Sequence, residues 1–464
     1  MKKNWLNKIK RNIALGLVAS TTMVSTIVPV LGDEVQQPQV SGWSIGILNE
    51  GEKYGIYPME WYTDGFQGGI TEDKLNILLT NVDAKLGELN LDKNQVFTPI
   101  VYEKDGTRGS VLVALYNSVA SYKLPDELGN NQESAIEYMQ KRSILNGTNK
   151  GLDLGASCTV EQAAVFASRL IEDTYNAVGA GSKGLIWEVK HGGNTIYLLG
   201  SIHAGDTSLY PMHKNMKDAF EASDVLIVEA NVLDPQGTEE LMKIGMYADG
   251  TKLQDHVPEE TYAQYTEFLG QMGLPTDVFD GFKPWFAGLQ LAVMAGTDSD
   301  SLQEAAESAA LGIDMYFLTN SMLTGKPVAE LEGMIYQANL FDGLSQEMQE
   351  HFFKQSLDIA LNPDSEAALE SGKLFHSWLE QWYAGDVDGF ASSYVAQMEG
   401  EQSEIDEMLL GKRDENMANK LAELLEKEDE ATYFVVVGAL HLVTEGMVVD
   451  QLKDKGYAVR GFWE

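Results

Sequence analysis

Thr195-Ile-Tyr-Leu-Leu-Gly-Ser-Ile-His203 decides how the rest of the chain is read. Its first five residues are β-branched, aromatic and aliphatic, the composition of a strand buried on both faces. Gly200 then interrupts the run, and His203 follows. Far downstream the same order returns as Tyr433-Phe-Val-Val-Val-Gly-Ala-Leu-His441. Each copy is an apolar strand, a glycine, two residues and a histidine. In an open α/β sheet the carboxyl ends of the strands line the ligand crevice, so both imidazoles are expected in one cleft. One Gly-x-x-His arises easily by chance; two at strand ends argue for a shared site.

Around these copies the pattern is α/β. Leu185–Lys190, a turn at His191-Gly-Gly-Asn194 and Thr195–Leu199 predict a hairpin. Val225-Leu-Ile-Val228 predicts another buried strand, ending at Glu229. Gly325-Lys-Pro-Val-Ala-Glu-Leu-Glu332 reads as a short edge strand closed by two carboxylates. A helix is expected from Arg413 to near Glu428, and a last one from Met447 to Lys455.

Neutral imidazoles and carboxylates suit Mn, Fe, Co or Zn, and three protein ligands leave a coordination position for water. His203, Glu229 and His441 are the smallest set consistent with the strand ends. A metal there would lower the pKa of its water and polarise a carbonyl. Without one, the same groups would serve as general base and acid.

The remaining composition narrows the class. The chain has 464 residues and carries 70 acidic against 33 basic side chains, a formal charge of −37. That balance argues against nucleic acid and against anionic membrane surfaces. Cys158 is the single cysteine, so no internal disulfide is possible, and its setting at a helix start suits a small buried residue. Lys2, Lys3, Lys8, Lys10 and Arg11 precede an apolar run from Ile13 to Leu31. With small residues at Val30-Leu-Gly32, residues 1–32 read as a signal peptide. An uncleaved anchor is the alternative, against which Ser25, Pro29 and Gly32 count. No other stretch is apolar enough to span a bilayer, so the protein is expected to be secreted or attached to the cell surface.

Residues 33–176 are expected to form a smaller, mainly helical module, and the Gly-rich residues 177–184 a linker. Within the module a helix, a Gly-rich turn and a Thr-started second helix recur, at 41–86 and 131–172, with room for a degenerate copy between. There the chain resembles the surface-layer homology (SLH) repeat of Gram-positive envelope proteins, which implies a cell-wall polymer as partner. The SLH signature Thr-Arg-Ala-Glu stands here as Thr71-Glu-Asp-Lys74 and Thr159-Val-Glu-Gln162, so its basic residue is absent. A structural or substrate-presenting module is the equal alternative.

Residues 185–464 resemble the TraB/PrgY/GumN family, which includes the Tiki proteases. The resemblance rests on Tyr197-Leu-Leu-Gly-Ser-Ile-His203, Asp224–Glu229, Phe282-Lys-Pro-Trp285, Gly312-Ile-Asp314, Gly325–Val328 with Leu331-Glu332, Arg413-Asp414, and Gly438-Ala-Leu-His441. It implies an erythromycin-esterase/ChaN-like α/β fold, a mixed, mostly parallel sheet flanked by helices. For the Tiki branch it implies metal-dependent peptide hydrolysis with Mn, Co or Zn, and carries the ligand roles onto His203, Glu229 and His441. Glu332, Arg413 and Lys283 match further family positions, as groups that hold substrate or support the ligands. The expected function is a metal-dependent hydrolase acting on a peptide or protein. The alternative is a non-catalytic envelope protein that binds or sequesters a peptide signal.

Overall fold

The apolar runs on either side of the Gly-x-x-His copies pair directly with each other in the computed structural model. The structure describes residues 40–125, 134–147, 151–297, 302–395 and 404–464; the expected signal peptide lies outside them. Six strands form one sheet: β1 (Leu185–His191), β2 (Asn194–Ser201), β3 (Val225–Val228), β4 (Val328–Glu330), β5 (Thr432–Gly438) and β6 (Ala458–Gly461). Their order is β4-β3-β5-β2-β1-β6. The four strands from β4 to β2 run parallel, whereas β1 and β6 are antiparallel. This is the mixed, mostly parallel α/β sheet that the sequence implies.

Alternation is absent from the central strands because both faces are covered. Ile196, Leu198 and Leu199 of β2 and Phe434 to Val437 of β5 have no exposed surface. On one side Phe220, Phe317 and Phe434 form a triangle with ring centroids 4.8–5.4 Å apart. Gly200 does not end its strand, contrary to the sequence expectation; β2 runs on through Ser201. The glycine serves close packing instead. A Cβ there would stand 3.0 Å from the Ala439 Cα, and Trp382 Nε1 donates to the Gly200 carbonyl at 2.7 Å.

Contacts divide the described chain into two units. One comprises Lys183–Asp206 and Asp218–Glu464; the other falls within Gly32–Ser182 and takes in Thr207–Lys217. The α/β unit is therefore interrupted by an eleven-residue excursion, after which the helix Lys214–Ala222 returns the chain to it.

The second unit is helical, with α1 (Ile45–Lys53), α2 (Glu72–Gly87), α3 (Arg108–Ala120), α4 (Ala135–Lys141) and α5 (Val160–Val178). Three of these start at threonine caps. The hydroxyls of Thr71, Thr107 and Thr159 accept the backbone N–H three residues on, at 3.2, 3.3 and 3.1 Å, which satisfies an otherwise orphaned donor. Thr107 is the start that the sequence pattern leaves unmarked. Glu161, inside Thr159-Val-Glu-Gln162, is buried and accepts Ser41 N and Ser44 Oγ, each at 2.6 Å. Burial pushes the Cys158 thiol up to about 12, which removes it as a nucleophile. No helix among the described residues is long and apolar enough to cross a membrane.

Asn194 fixes the entrance to β2. Its Nδ2 donates to the carbonyls of Leu424, Leu425 and Lys427 at 3.2, 3.2 and 2.7 Å, and its Oδ1 accepts Ala431 N at 2.9 Å. One buried side chain thus joins the helix before β5 to the first residue of β2. Asn194→Ala is expected to lower unfolding stability by about 1–3 kcal/mol, since it strands four backbone groups, that of Leu425 fully buried. A urea titration showing a loss under about 0.5 kcal/mol, the range of ordinary surface changes, would contradict this account.

Candidate functional site

His203 follows β2, Glu229 follows β3 and His441 follows β5, and none of the three has exposed surface. The order of the sheet makes these neighbouring strands. His441 Nε2 lies 3.9 Å from Glu229 Oε1, so the structure joins the second histidine to the strand-end glutamate as the sequence leads one to expect.

Each imidazole is held by an aspartate. His203 Nδ1 is 2.5 Å from Asp314 Oδ2, and His441 Nδ1 is 2.9 Å from Asp414 Oδ1. Asp314 stands in the first turn of the helix Ile313–Thr324, which begins directly against the His203 backbone. Ile313 N donates to the Ile202 carbonyl at 3.0 Å, and a Cβ on Gly312 would collide with the His203 carbonyl. Asp414 lies in the first turn of Lys412–Leu425, where its other oxygen accepts Gly411 N at 2.7 Å. Such pairing fixes the tautomer and directs Nε2 away from the carboxylate. The His441 Nε2 has no hydrogen-bond partner among the described residues.

Glu229 is enclosed by donors. Its Oε1 accepts Gly438 N at 2.5 Å, and its Oε2 accepts Gln337 Nε2 and Arg413 Nη2, both at 2.9 Å. Arg413 also forks onto Glu332, Nε to Oε1 at 2.9 Å and Nη2 to Oε2 at 2.7 Å. Glu332 reaches this position because its own N–H and that of Gly333 bond the Glu229 carbonyl at 2.9 and 2.8 Å. The turn needs Gly333 at φ 88, a region that side chains disfavour.

Charge governs the protonation of this cluster. Burial would weaken the Arg413 cation, but Glu332 and then Glu229 hold its pKa above the ordinary value. Burial would raise the Glu332 carboxyl, but Arg413 beside it, with the Arg413 and Gln337 hydrogen bonds, holds it below. For His441 burial again opposes the charge, and Asp414 outweighs it, so the imidazole sits above its ordinary pKa.

The donor set can be judged against a divalent transition metal. Two aspartate-oriented imidazoles, one with an orphaned Nε2, and an adjoining glutamate fit such an ion in kind. Formally, Glu229, Glu332, Asp314 and Asp414 outnumber the single Arg413 among these buried groups, which favours a bound cation. As the side chains stand, no three His, Cys, Asp or Glu groups among the described residues converge closely enough to ligate one ion. Glu229 is turned to Gly438, Gln337 and Arg413.

The other sequence candidates divide. Glu332 and Arg413 belong to the network; Lys283 is held in a different ion pair, with Asp342 at 2.6 Å, which also accepts Trp285 Nε1 at 3.0 Å. Sequence reasoning missed the roles of Asp314, Asp414 and Gln337. The first two lay within the Gly312-Ile-Asp314 and Arg413-Asp414 motifs, but nothing local marked them as partners of a distant histidine. Glu332 is the network's outer member: with Leu331, Tyr336, Asn416, Met417, Asn419, Lys420 and Glu423 it lines a groove of about 270 Å³.

The profile of the TraB/PrgY/gumN family matches residues 185–461. The chain belongs to this family. Among characterised sequences, the protein named Metalloprotease TIKI1 of Xenopus tropicalis is 23% identical over 308 residues, 59% of this chain and 60% of its own length. Metalloprotease TIKI2 of the same species is 23% identical over 300 residues, 57% of each chain. The protein named YbaP of Escherichia coli (strain K12), described as uncharacterized, is 28% identical over 142 residues, 31% of this chain and 50% of its own. The chain thus spans about 60% of the length of the Tiki relatives it matches. No solved structure matches it.

Glu332→Gln tests the electrostatics. Because the folded carboxyl lies below its ordinary value of 4.5, its ion pair stabilises fully above that value and is lost as pH falls through the lower folded pKa. Wild type should exceed the variant by about 1–3 kcal/mol at pH 7, and the gap should narrow below pH 4.5. Denaturant titrations across this range with a constant gap would refute the assignment.

Proposed function

We propose that this protein is a metal-dependent hydrolase of peptide or protein substrates. The observation that carries the reading is the strand-end trio: His203 and His441, each oriented by a buried aspartate, with Glu229 Oε1 3.9 Å from His441 Nε2. The printed names of the Tiki relatives support the same class. His203, His441 and Glu229 would hold a Mn, Co or Zn ion. When bound, such an ion polarises the scissile carbonyl and makes water acidic enough to attack near neutral pH.

The chain's own groups account for the rest. Asp314 and Asp414 keep the imidazoles in one tautomer, so that Nε2 is the nitrogen on offer. Arg413 and Gln337 hold the Glu229 carboxylate through Oε2, and Gly438 N holds its Oε1 on the His441 side. Full burial excludes bulk water and strengthens each of these charge interactions. The burial also favours a second reading, in which the domain binds a peptide signal through the outer groove at Glu332 without cleaving it. We further propose that the protein acts outside the cytoplasm, a reading supported by the basic and apolar pattern of residues 1–32.

Elemental analysis of the full-length protein, with a peptide-library cleavage assay, separates the two readings. The hydrolase reading expects near-stoichiometric Mn, Co or Zn, lost in His203→Ala/His441→Ala together with cleavage. In Asp414→Asn, metal affinity should fall about 10- to 100-fold. A metal-free wild type, even after reconstitution, that still retains peptides would favour the binding protein.

A further inference from the structure

β4 forms one margin of the sheet, with β3 on its inner side. The ladder shows which of its backbone groups are used. Leu226 N donates to the Pro327 carbonyl at 2.9 Å and Leu331 N to the Val228 carbonyl at 2.8 Å, with Leu226 paired to Val328 and Val228 to Glu330. In a parallel strand the N–H and C=O of one residue point to the same side, and successive residues alternate. Ala329 therefore faces β3, and the N–H and C=O groups of Val328 and Glu330 face outward. No hydrogen bond from another described residue reaches these four groups.

Sheet edges are ordinarily guarded by charged side chains or by proline. Here the two charged residues of the segment are engaged elsewhere: Lys326 Nζ donates to the Ser223 carbonyl, and Glu330 Oε1 accepts Asn231 N at 2.6 Å. Pro327 stands before the outward-facing residues, and its carbonyl serves β3. Apolar surface adjoins the edge in sequence on both sides. Met322 and Leu323, in the last turn of the helix Ile313–Thr324, and Ile335 and Tyr336, in the first turn of the helix Met334–Asp342, are all exposed. Beyond β4 the chain enters the outer groove, which Leu331, Glu332 and Tyr336 line. Glu332 in turn bonds Arg413, which holds Glu229.

We propose that the free edge of β4 takes up an extended, basic peptide as an added strand. The inference rests on the peptide reading of function above and names how that peptide is held. Main-chain hydrogen bonds to Val328 and Glu330 supply affinity that is independent of sequence, as in other cases of strand addition. Charge selects the occupant. Glu423 of the groove is exposed and makes no ion pair among the described residues, while Lys420 beside it is spent on the Leu331 carbonyl. With 70 acidic against 33 basic side chains, the chain attracts a cationic peptide and repels a second copy of itself. β4 runs parallel to β3, β5 and β2, so a peptide along this edge passes the end of the sheet that carries His203, Glu229 and His441.

Fluorescence polarisation with the full-length protein tests this. The probe is a labelled synthetic peptide of alternating lysine and valine, compared with two analogues N-methylated at the lysine or at the valine amides. Wild type should bind the parent peptide. One analogue should bind about 10-fold more weakly, because its methyl groups replace the donors that face β4, and the other should bind like the parent. Val328→Pro removes an outward donor and no bond to β3; it should weaken the parent peptide about 10-fold and leave the thermal midpoint near that of wild type. No binding of the parent, equal affinities of both analogues, or a folded Val328→Pro protein that binds like wild type would overturn the inference. Should Val328→Pro not fold, the methylated pair decides alone. Any of these results in a wild type that cleaves library peptides leaves the hydrolase reading intact. The expected pattern in a wild type without metal or cleavage would support the added strand and remove hydrolysis, and a wild type that neither binds nor cleaves any peptide would overturn both.

Discussion

The parallel register of β2 on β5 is the constraint from which the site follows. It sets Ser201 opposite Gly438 and delivers both histidines past the same end of the sheet. The side-chain period of a strand is two, so a slip of one residue would move every side chain of β2 to the other face. It would also take the backbone opposite Ser201 away from the N–H that holds Glu229. Asn194 guards the register from the far end, where it bonds the chain leading from the preceding helix into β5. The two copies of the motif are consequently one structural feature, completed by residues distant in sequence.

A second requirement is the buried guanidinium of Arg413. Desolvating a cation and two carboxylates is expensive, and an apolar cluster of the same shape would commonly be as stable or more so. What the arrangement supplies is position. A planar fork with fixed donor directions holds Glu229 from the end of β3 and Glu332 from beyond β4 at a set separation. Lysine, a point charge on a flexible stem, would neutralise the same carboxylates without defining their geometry. Gln337, bonded to both glutamates at 2.9 and 3.0 Å, closes the same bracket from a helix.

Much of this was legible in the chain. The strands around residues 195 and 433 declared themselves because buried parallel strands read as unbroken apolar runs, and Glu229 because it closes a strand of the same kind as the two that carry the histidines. The helix-borne partners were not legible as partners. Asp314 and Asp414 occupy first turns of helices, where an acidic residue is common for reasons of capping and dipole alone. Only the third dimension shows that each turns towards a histidine. Gly200 was misread for a related cause: a glycine after an apolar run resembles a strand stop, whereas its purpose is set by Ala439, which crosses over it. Lys283 followed from family position, and its ion pair with Asp342 serves a different part of the fold.

The excursion of Thr207–Lys217 has a bearing on how such a protein can have been assembled. Those eleven residues are encoded between β2 and β3, inside the family-matched stretch, yet they cluster with the helical unit. Neither unit is then a contiguous cassette. A single recombination junction near residue 183 would deprive the helical unit of a segment and leave the α/β unit carrying a loop evolved for another core.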